Sequence, residues 1–327
     1  MRIVITGGAG FLGRKLAHAL ATGGGLAGAE GQRQQISEIV LVDTCEVKPD
    51  LVAGVNITSA AVDICDADAM ARLMTPNTLC VYHLAAVVSG QAEADFDLGM
   101  KVNLDGTRAL LDVCRAHAGP LKFITTSSVA SFGGDMPRSV PDSFAQTPQN
   151  SYGAQKAISE LLVNDYSRKG FIDGRVVRLP TIIIRPGKPN AAASSFVSAI
   201  FREPLQGQRA ICPVNADLPV WVMSPRRAIE CLIHAHEVPK TKLTNSRSIT
   251  LPGLSVTIGE MISALKRAGG EEAVQRIDWA FDQTINDIVS RWPGAFEATR
   301  AQAMGFVADR NIDEIVQAFI EDDLTSA

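Results

Sequence analysis

The chain opens with RIVITGGAGFLGRKLAHALA, and this stretch leaves it few folds to adopt. Residues 2–7 read as a strand around the β-branched run Ile3–Thr6, residues 10–21 carry a helical pattern, and little but glycine and alanine stands between them. A strand that passes so directly into a helix is the first half of a βαβ unit. The alternation continues. A loop, TGGGLAGAEGQRQQ, leads to the strand EIVLVD at 38–43, and LCVYHLAA (79–86) and LKFITTSS (121–128) read as further strands. A long helix around 95–117, a second over 152–168 and the strand GRVVRLPTIII (174–184) complete the series. These strands are apolar throughout rather than alternating, which indicates burial on both faces. Right-handed βαβ repetition then gives an α/β fold, a doubly wound parallel sheet of the Rossmann type.

After residue 185 the pattern changes. RPGKPNAAASSF is a loop of Pro, Gly and small residues, and the elements beyond it are shorter and mixed. SPRRAIECLIHAHE starts a helix with Ser224 as N-cap and Pro225 in the first turn. Thr257 and Glu260 stand at capping-box spacing, Gly269 marks a stop, and NIDEIVQAFIED is a last amphipathic helix. We expect a nucleotide-binding domain over 1–185 and a smaller C-terminal substrate lobe over 186–327, with some of its elements returning to the main domain. Such a lobe would cover the strand ends, where open α/β sheets bind ligands.

Composition narrows the partners. A net charge of -4 with no long basic run argues against nucleic acid or an anionic membrane surface. No apolar run approaches the ~20 residues of a membrane span. The six cysteines are scattered without a C-x-x-C pair, which suits reduced thiols and a cytoplasmic setting.

Gly7, Gly10 and Gly13 lie where the first strand becomes the first helix. Glycine there permits a tight turn and lets a phosphate approach backbone N–H groups at the positive helix end, so a dinucleotide is the expected ligand. The spacing, G-x-x-G-x-x-G, departs from the commoner G-x-G-x-x-G. Asp43 ends the second strand, where a carboxylate can accept both hydroxyls of an adenosine ribose and repel a 2′-phosphate. That favours NAD, although a strand-end aspartate also simply starts turns. Ser127 and Ser128 end the strand at 121–128, either to bond a substrate oxygen or to cap the backbone. Tyr152 and Lys156 stand four apart on one helix face, which elsewhere is an ordinary solvated pair.

The ordered set TGGAGFLG, HLAA, SSVASFG, YGAQK and RLPTIIIRPG resembles the extended short-chain dehydrogenase/reductases, the NAD-dependent epimerase/dehydratase family. The resemblance implies Ser128, Tyr152 and Lys156 as the catalytic trio. It implies Gly7, Gly10, Phe11, Leu12 and Gly13 as the pyrophosphate loop and Asp43 as the ribose ligand. Asp63 and Ile64 would flank the adenine, Leu84 and Ala85 would line the cofactor, and Asn103 matches a structural asparagine. Pro180 and Ile182 would flank the nicotinamide, and Lys156 would hold the nicotinamide ribose. Phe132 stands where sugar-nucleotide epimerases usually carry tyrosine. A narrower likeness, in SVASFG, RLPTIIIRPGKPNAAASSF and SPRRAIECLIHAHE, is to members that oxidise small sugar acids.

A free phenol titrates near pH ~10. Lys156 and the positive nicotinamide would favour the phenolate, and Tyr152 would then deprotonate a substrate hydroxyl held by Ser128, with Ser127 beside it. The loop at 190–195 either overhangs the cleft, offering Asn190 and Ser195 to a polyol, or is a linker. A hydroxy acid needs a carboxylate partner, for which Arg185 and Arg226 are candidates; Arg185 could instead serve the fold. His234 and His236 are two apart and face different ways on a helix, His83 reads as a core histidine, and no metal site is expected. The expected activity is NAD-dependent oxidation of a small sugar acid. The alternatives are an NDP-sugar epimerase or dehydratase and a dinucleotide-sensing protein. A homodimer or higher homo-oligomer through the helices near 95–117 and 152–168 is expected, partly from the family and partly from their broad apolar faces.

Overall fold

The computed structural model describes residues 1–28, 31–117, 119, 121–187 and 194–324. Seven parallel strands form the central sheet in the order Ser248–Thr250, Asp173–Leu179, Lys122–Ser128, Thr78–His83, Arg2–Thr6, Glu38–Asp43, Asn56–Ala61. Burial on both faces is the reason these strands read as continuous apolar runs: Ile3, Val4 and Ile5 are all fully inaccessible. From Arg2–Thr6 the chain winds outward to Glu38–Asp43 and Asn56–Ala61, then crosses back to Thr78–His83 on the other side. The strand order therefore reverses beside Arg2–Thr6, and a crevice opens there beyond the strands' C-terminal ends.

The single strand expected over 174–184 is two. It ends at Leu179, and after Pro180 the residues Thr181–Ile182 pair with Pro219–Met223 in a separate three-stranded sheet completed by Leu254–Thr257. Proline has no N–H to give a ladder, so it stands where the chain leaves one sheet for the other. The long helix around 95–117 is also interrupted. Phe96–Gly99 and Thr107–Ala116 flank a wider π-type segment, Met100–Gly106. The loop before the second strand contains a short antiparallel pair, Leu26–Ala27 with Arg33–Gln34.

Residues beyond 185 divide between two cores. Ile183, Ile184, Phe196, Phe201, Ile258, Leu265 and Phe319 belong to a second core above the strand ends. Helix Pro225–Glu237 instead packs Ala228, Ile229 and Leu232 into the core that holds Leu16 and Leu20, and Ser248–Thr250 extends the main sheet. The capping signals hold: Ser224 Oγ accepts from the Arg227 N–H, and Thr257 and Glu260 form a reciprocal box. The expected stop at Gly269 falls one residue later, at Gly270 with φ 72°, and helical turns resume beyond it to Val274.

Candidate active site

At the reversal point the strand Arg2–Thr6 turns through Gly7, which takes φ 71°. A Cβ there would stand 2.7 Å from the Ala85 nitrogen and 2.8 Å from the Leu84 carbonyl carbon. A Cβ on Gly13 would stand 2.2 Å from the Gly7 oxygen, so the turn and the helix Phe11–Thr22 touch backbone to backbone. The helix has no acidic residue in its first turn, and its positive end faces a cavity of about 270 Å³. Gly7, Gly10, Phe11, Leu12, Gly13, Leu84 and Thr126 line it, with Arg185, Ser195 and Arg202 opposite. A bare backbone cradle and a helix N-terminus suit a pyrophosphate, while the Arg202 guanidinium is held by Glu203 and the Arg185 carbonyl.

Asp43 braces this loop. Its Oδ2 accepts the Ala9 N–H at 3.0 Å and its Oδ1 the Thr44 N–H at 2.8 Å, leaving further lone pairs on both oxygens. Asp63 follows the next strand and accepts the Cys65 N–H at 2.9 Å, while Ile64 is buried against Gly106.

Ser128 ends the strand Lys122–Ser128, and its Oγ accepts the Ala130 N–H at 3.1 Å. The neighbouring Ser127 hydroxyl is buried without a hydrogen-bond partner among the described residues. Tyr152 and Lys156 sit on the first turns of helix Ser151–Arg168, which Asn150 caps by accepting the Gly153 N–H at 2.7 Å. A Cβ on Gly153 would lie 2.1 Å from the Ala130 oxygen, so glycine alone lets this helix press on the turn that carries Ser128. Lys156 is buried, donates to the Thr126 carbonyl at 3.0 Å, and stands 5.6 Å from the Tyr152 ring centre.

The electrostatics correct one expectation. Burial pushes the Tyr152 phenol up to about 12, and the cation that counters it is Arg185 rather than Lys156. Burial lowers Lys156 to about 8, against which Glu160 acts to keep it charged.

Asn103, on the π-type segment, has all its polar atoms engaged. Its Oδ1 accepts the Val87 N–H at 2.8 Å, and its Nδ2 donates to the Val87 carbonyl at 3.1 Å and to Gln155 Oε1 at 2.8 Å. It ties the loop after the Thr78–His83 strand to the Tyr152 helix. Gln155 and Gly153 were not singled out from the sequence. Both lie inside YGAQK, but their partners are 52 and 23 positions away.

Ser127, Ser128, Tyr152, Pro180, Ile182 and Arg185 converge on a second cavity of about 190 Å³, which Thr126, Ser89 and Trp292 also line. Arg185 thus faces both cavities, and it has no carboxylate partner among the described residues. Arg226 does not reach the cleft. Its guanidinium is held by Glu321 at 2.8 Å and Asp322 at 2.6 Å, so a carboxylate-binding role for it falls away. Ser195 lines the first cavity, and Asn190 lies outside the described residues. His83 is a satisfied core histidine, contacting Thr6 Oγ1 at 2.7 Å and Thr107 Oγ1 at 2.9 Å. His234 and His236 each contact a backbone carbonyl, and the described residues contain no cluster able to hold a metal ion.

Comparison with known proteins agrees with this geometry. The NAD dependent epimerase/dehydratase family matches residues 3–228. The D-erythronate dehydrogenase of Cupriavidus necator is 49% identical over 322 residues, covering 98% of each chain. That of Haemophilus influenzae is 45% identical over 327 residues, covering 99% of this chain and 100% of its own. A crystal structure described as a nucleoside-diphosphate-sugar epimerase from Agrobacterium tumefaciens superposes with a TM-score of 0.94 at 42% identity, over 100% of this chain and 95% of that one.

Proposed function

The chain belongs to the NAD dependent epimerase/dehydratase family, and we propose that it oxidises D-erythronate to 2-oxo-D-erythronate with NAD as hydride acceptor. The observation that carries this reading is the small second cavity, where Tyr152, Ser128 and an arginine with no carboxylate partner among the described residues meet beside the glycine cradle. The two D-erythronate dehydrogenases, alike over nearly their whole length, support the choice of substrate. So does the narrower sequence likeness noted above, which is to these enzymes.

In this reading Gly7–Gly13 would hold the pyrophosphate, Asp43 the adenosine ribose and Asp63 with Ile64 the adenine, while Leu84 and Ala85 would line the cofactor and Pro180 and Ile182 would flank the nicotinamide. When bound, NAD supplies a hydride acceptor and a positive charge. Arg185 pairs with the substrate carboxylate and so orients the adjacent carbon. Ser128 and Ser127 hold the hydroxyl to be oxidised, and Tyr152 removes its proton. The carbon–hydrogen bond breaks with its electron pair, and C–O becomes C=O. Lys156 would hold the nicotinamide ribose, and Arg185 favours the Tyr152 phenolate. Asn103 holds the Tyr152 helix in register. The division into a cofactor domain over 1–185 and a substrate lobe over 186–327 belongs to the same proposal.

A second reading, an NDP-sugar epimerase, has one point in its favour: the description of the Agrobacterium structure. The neighbouring cavity that shares Ser89 and Trp292 with this one weakens it, because Glu93 and Asp287 line it with Arg291 as its one cation among the described lining residues. A diphosphate would meet more negative charge than positive. Incubation with NAD and D-erythronate should accumulate NADH, whereas UDP- and GDP-sugars should remain unchanged. Conversion of a nucleotide sugar, with no NADH from any four-carbon acid, would select the epimerase.

No helix among the described residues is long and apolar enough to cross a membrane. We place the enzyme in the cytoplasm, as a homodimer or higher homo-oligomer. Phe96, Ile158 and Leu161 support association, being 58%, 40% and 69% exposed on the two helices expected to pair. A monomer in sedimentation at micromolar concentration would refute it.

A further inference from the structure

We propose that Trp292 sets the length of the acid this enzyme oxidises; the inference rests on the dehydrogenase reading above. The cleft has two chambers. The inner one, about 190 Å³, holds Ser128, Tyr152 and Arg185. The outer one, about 390 Å³, is lined by Glu93, Phe132, Gln149, Asn150, Thr284, Asp287 and Arg291 among others. Of the described residues only Ser89 and Trp292 line both. A serine side chain is too small to divide two such spaces, so the indole is the partition.

That partition is firmly mounted. The Trp292 backbone N–H donates to the Val289 carbonyl at 3.0 Å, which fixes the chain there, and the side chain packs against the second core. Beyond it, the Ala295 carbonyl accepts the Val140 N–H at 3.0 Å, and the Phe296 ring lies 5.2 Å from Phe132 and 5.9 Å from Trp221. Both ends of the segment are therefore anchored, one in each of two hydrophobic clusters.

The inner chamber is smaller than the ~300–1,000 Å³ typical of ligand pockets, and it must take the reacting end of the cofactor as well as the substrate. A short acid fits; further carbons meet the indole. The outer chamber offers what those carbons would need, since Gln149, Asn150 and Thr284 are neutral hydrogen-bonding groups suited to hydroxyls. Removing the indole would join the chambers and admit a longer polyhydroxy acid.

The test is kcat/KM for a four-carbon and a six-carbon aldonic acid in the wild type, Trp292→Phe and Trp292→Ala. We expect KM for the four-carbon acid to rise about 10-fold in Trp292→Ala while the six-carbon acid gains. The preference should shift by at least ~100-fold, with Trp292→Phe between. A purely structural role would depress both substrates together, and an unchanged ratio overturns the proposal. Should Trp292→Ala fail to fold, Trp221→Phe with Trp279→Phe leaves Trp292 as the lone fluorophore of the three tryptophans. With Tyr152→Phe added to block turnover, and NAD saturating, the four-carbon acid should alter the emission and the six-carbon acid should not; equal responses, or none, overturn the proposal. If D-erythronate is not oxidised at all, the same ratio is read with whichever short acid is, so failure of the substrate and failure of the partition are told apart.

Discussion

Gly153→Ala is the smallest change that should separate the chemistry from the fold. Gly153 is buried on the first turn of helix Ser151–Arg168, and an added Cβ would meet the Ala130 oxygen at 2.1 Å and the Ala130 carbonyl carbon at 3.0 Å. Those neighbours are backbone, so no side chain can swing aside. The helix start and the turn must part by about 1 Å to restore ordinary contact. Gly153 adjoins Tyr152 and Ala130 lies two residues from Ser128, so the displacement falls on the spacing between the proposed base and the hydroxyl proposed to hold the substrate. A 1 Å misplacement costs on the order of 10²-fold in rate. Overpacking costs ~1–3 kcal/mol, and the better helix propensity of alanine returns up to ~1 kcal/mol of that. We expect kcat/KM for D-erythronate to fall about 100-fold by NADH formation, while Tm drops only a few degrees. NAD affinity by calorimetry should stay close to wild type, because the glycine cradle is elsewhere. Near-normal turnover in a normally folded variant would refute the reasoning, since the Ser128 turn and the Tyr152 helix would then not need this contact.

Three further outcomes follow from the site. Tyr152→Phe should cost roughly 10²–10⁴-fold in kcat and leave NAD binding intact by calorimetry, because only the ionisable oxygen is lost; near-normal kcat would remove Tyr152 as the base. Asp43→Ala should narrow the ratio of kcat/KM for NAD over NADP, and should also weaken both cofactors slightly, since Asp43 braces the loop through Ala9; an unchanged ratio would take Asp43 off the ribose. Arg185→Ala should raise KM for the acid on the order of 10²-fold with a smaller effect on kcat, whereas Arg226→Ala, on a half-exposed surface pair, should leave both near wild type; the reverse pattern would reassign the carboxylate partner.

The sheet was legible because strands buried on both faces cannot alternate in polarity, and that signal survives without any knowledge of partners. Helix ends were legible for a similar reason. A cap is a contract between residues three apart, so Ser224 with Arg227 and Thr257 with Glu260 carry it within one glance of sequence. Where a strand chooses its sheet is not local. RLPTIII reads as one apolar run, yet Pro180 sends its two halves to different sheets, and the second half pairs with residues some forty positions on. Likewise Ser248–Thr250 is too short to announce itself as a strand, and it forms because an edge of the sheet stands open beside it.

The same distinction separates the site residues. Those proposed from sequence would act through their own chemistry at a strand end or helix start: glycines that bare the backbone, a carboxylate, a phenol, an ammonium. Those that were missed or misjudged act through distant partners. Gln155 reads as an ordinary helix residue until Asn103 is seen to donate to it across 52 positions. Arg226 read as a free cation because its partners, Glu321 and Asp322, lie some 95 positions away at the other end of the chain. Arg185 differs physically rather than in sequence. It lies deep enough for burial to lower its pKa, it feels the charge of Arg202, and no described carboxylate answers it. A half-buried cation with no described carboxylate beside it favours an anionic ligand. On the proposed reading that preference, more than the presence of an arginine, would direct a substrate carboxylate to this position.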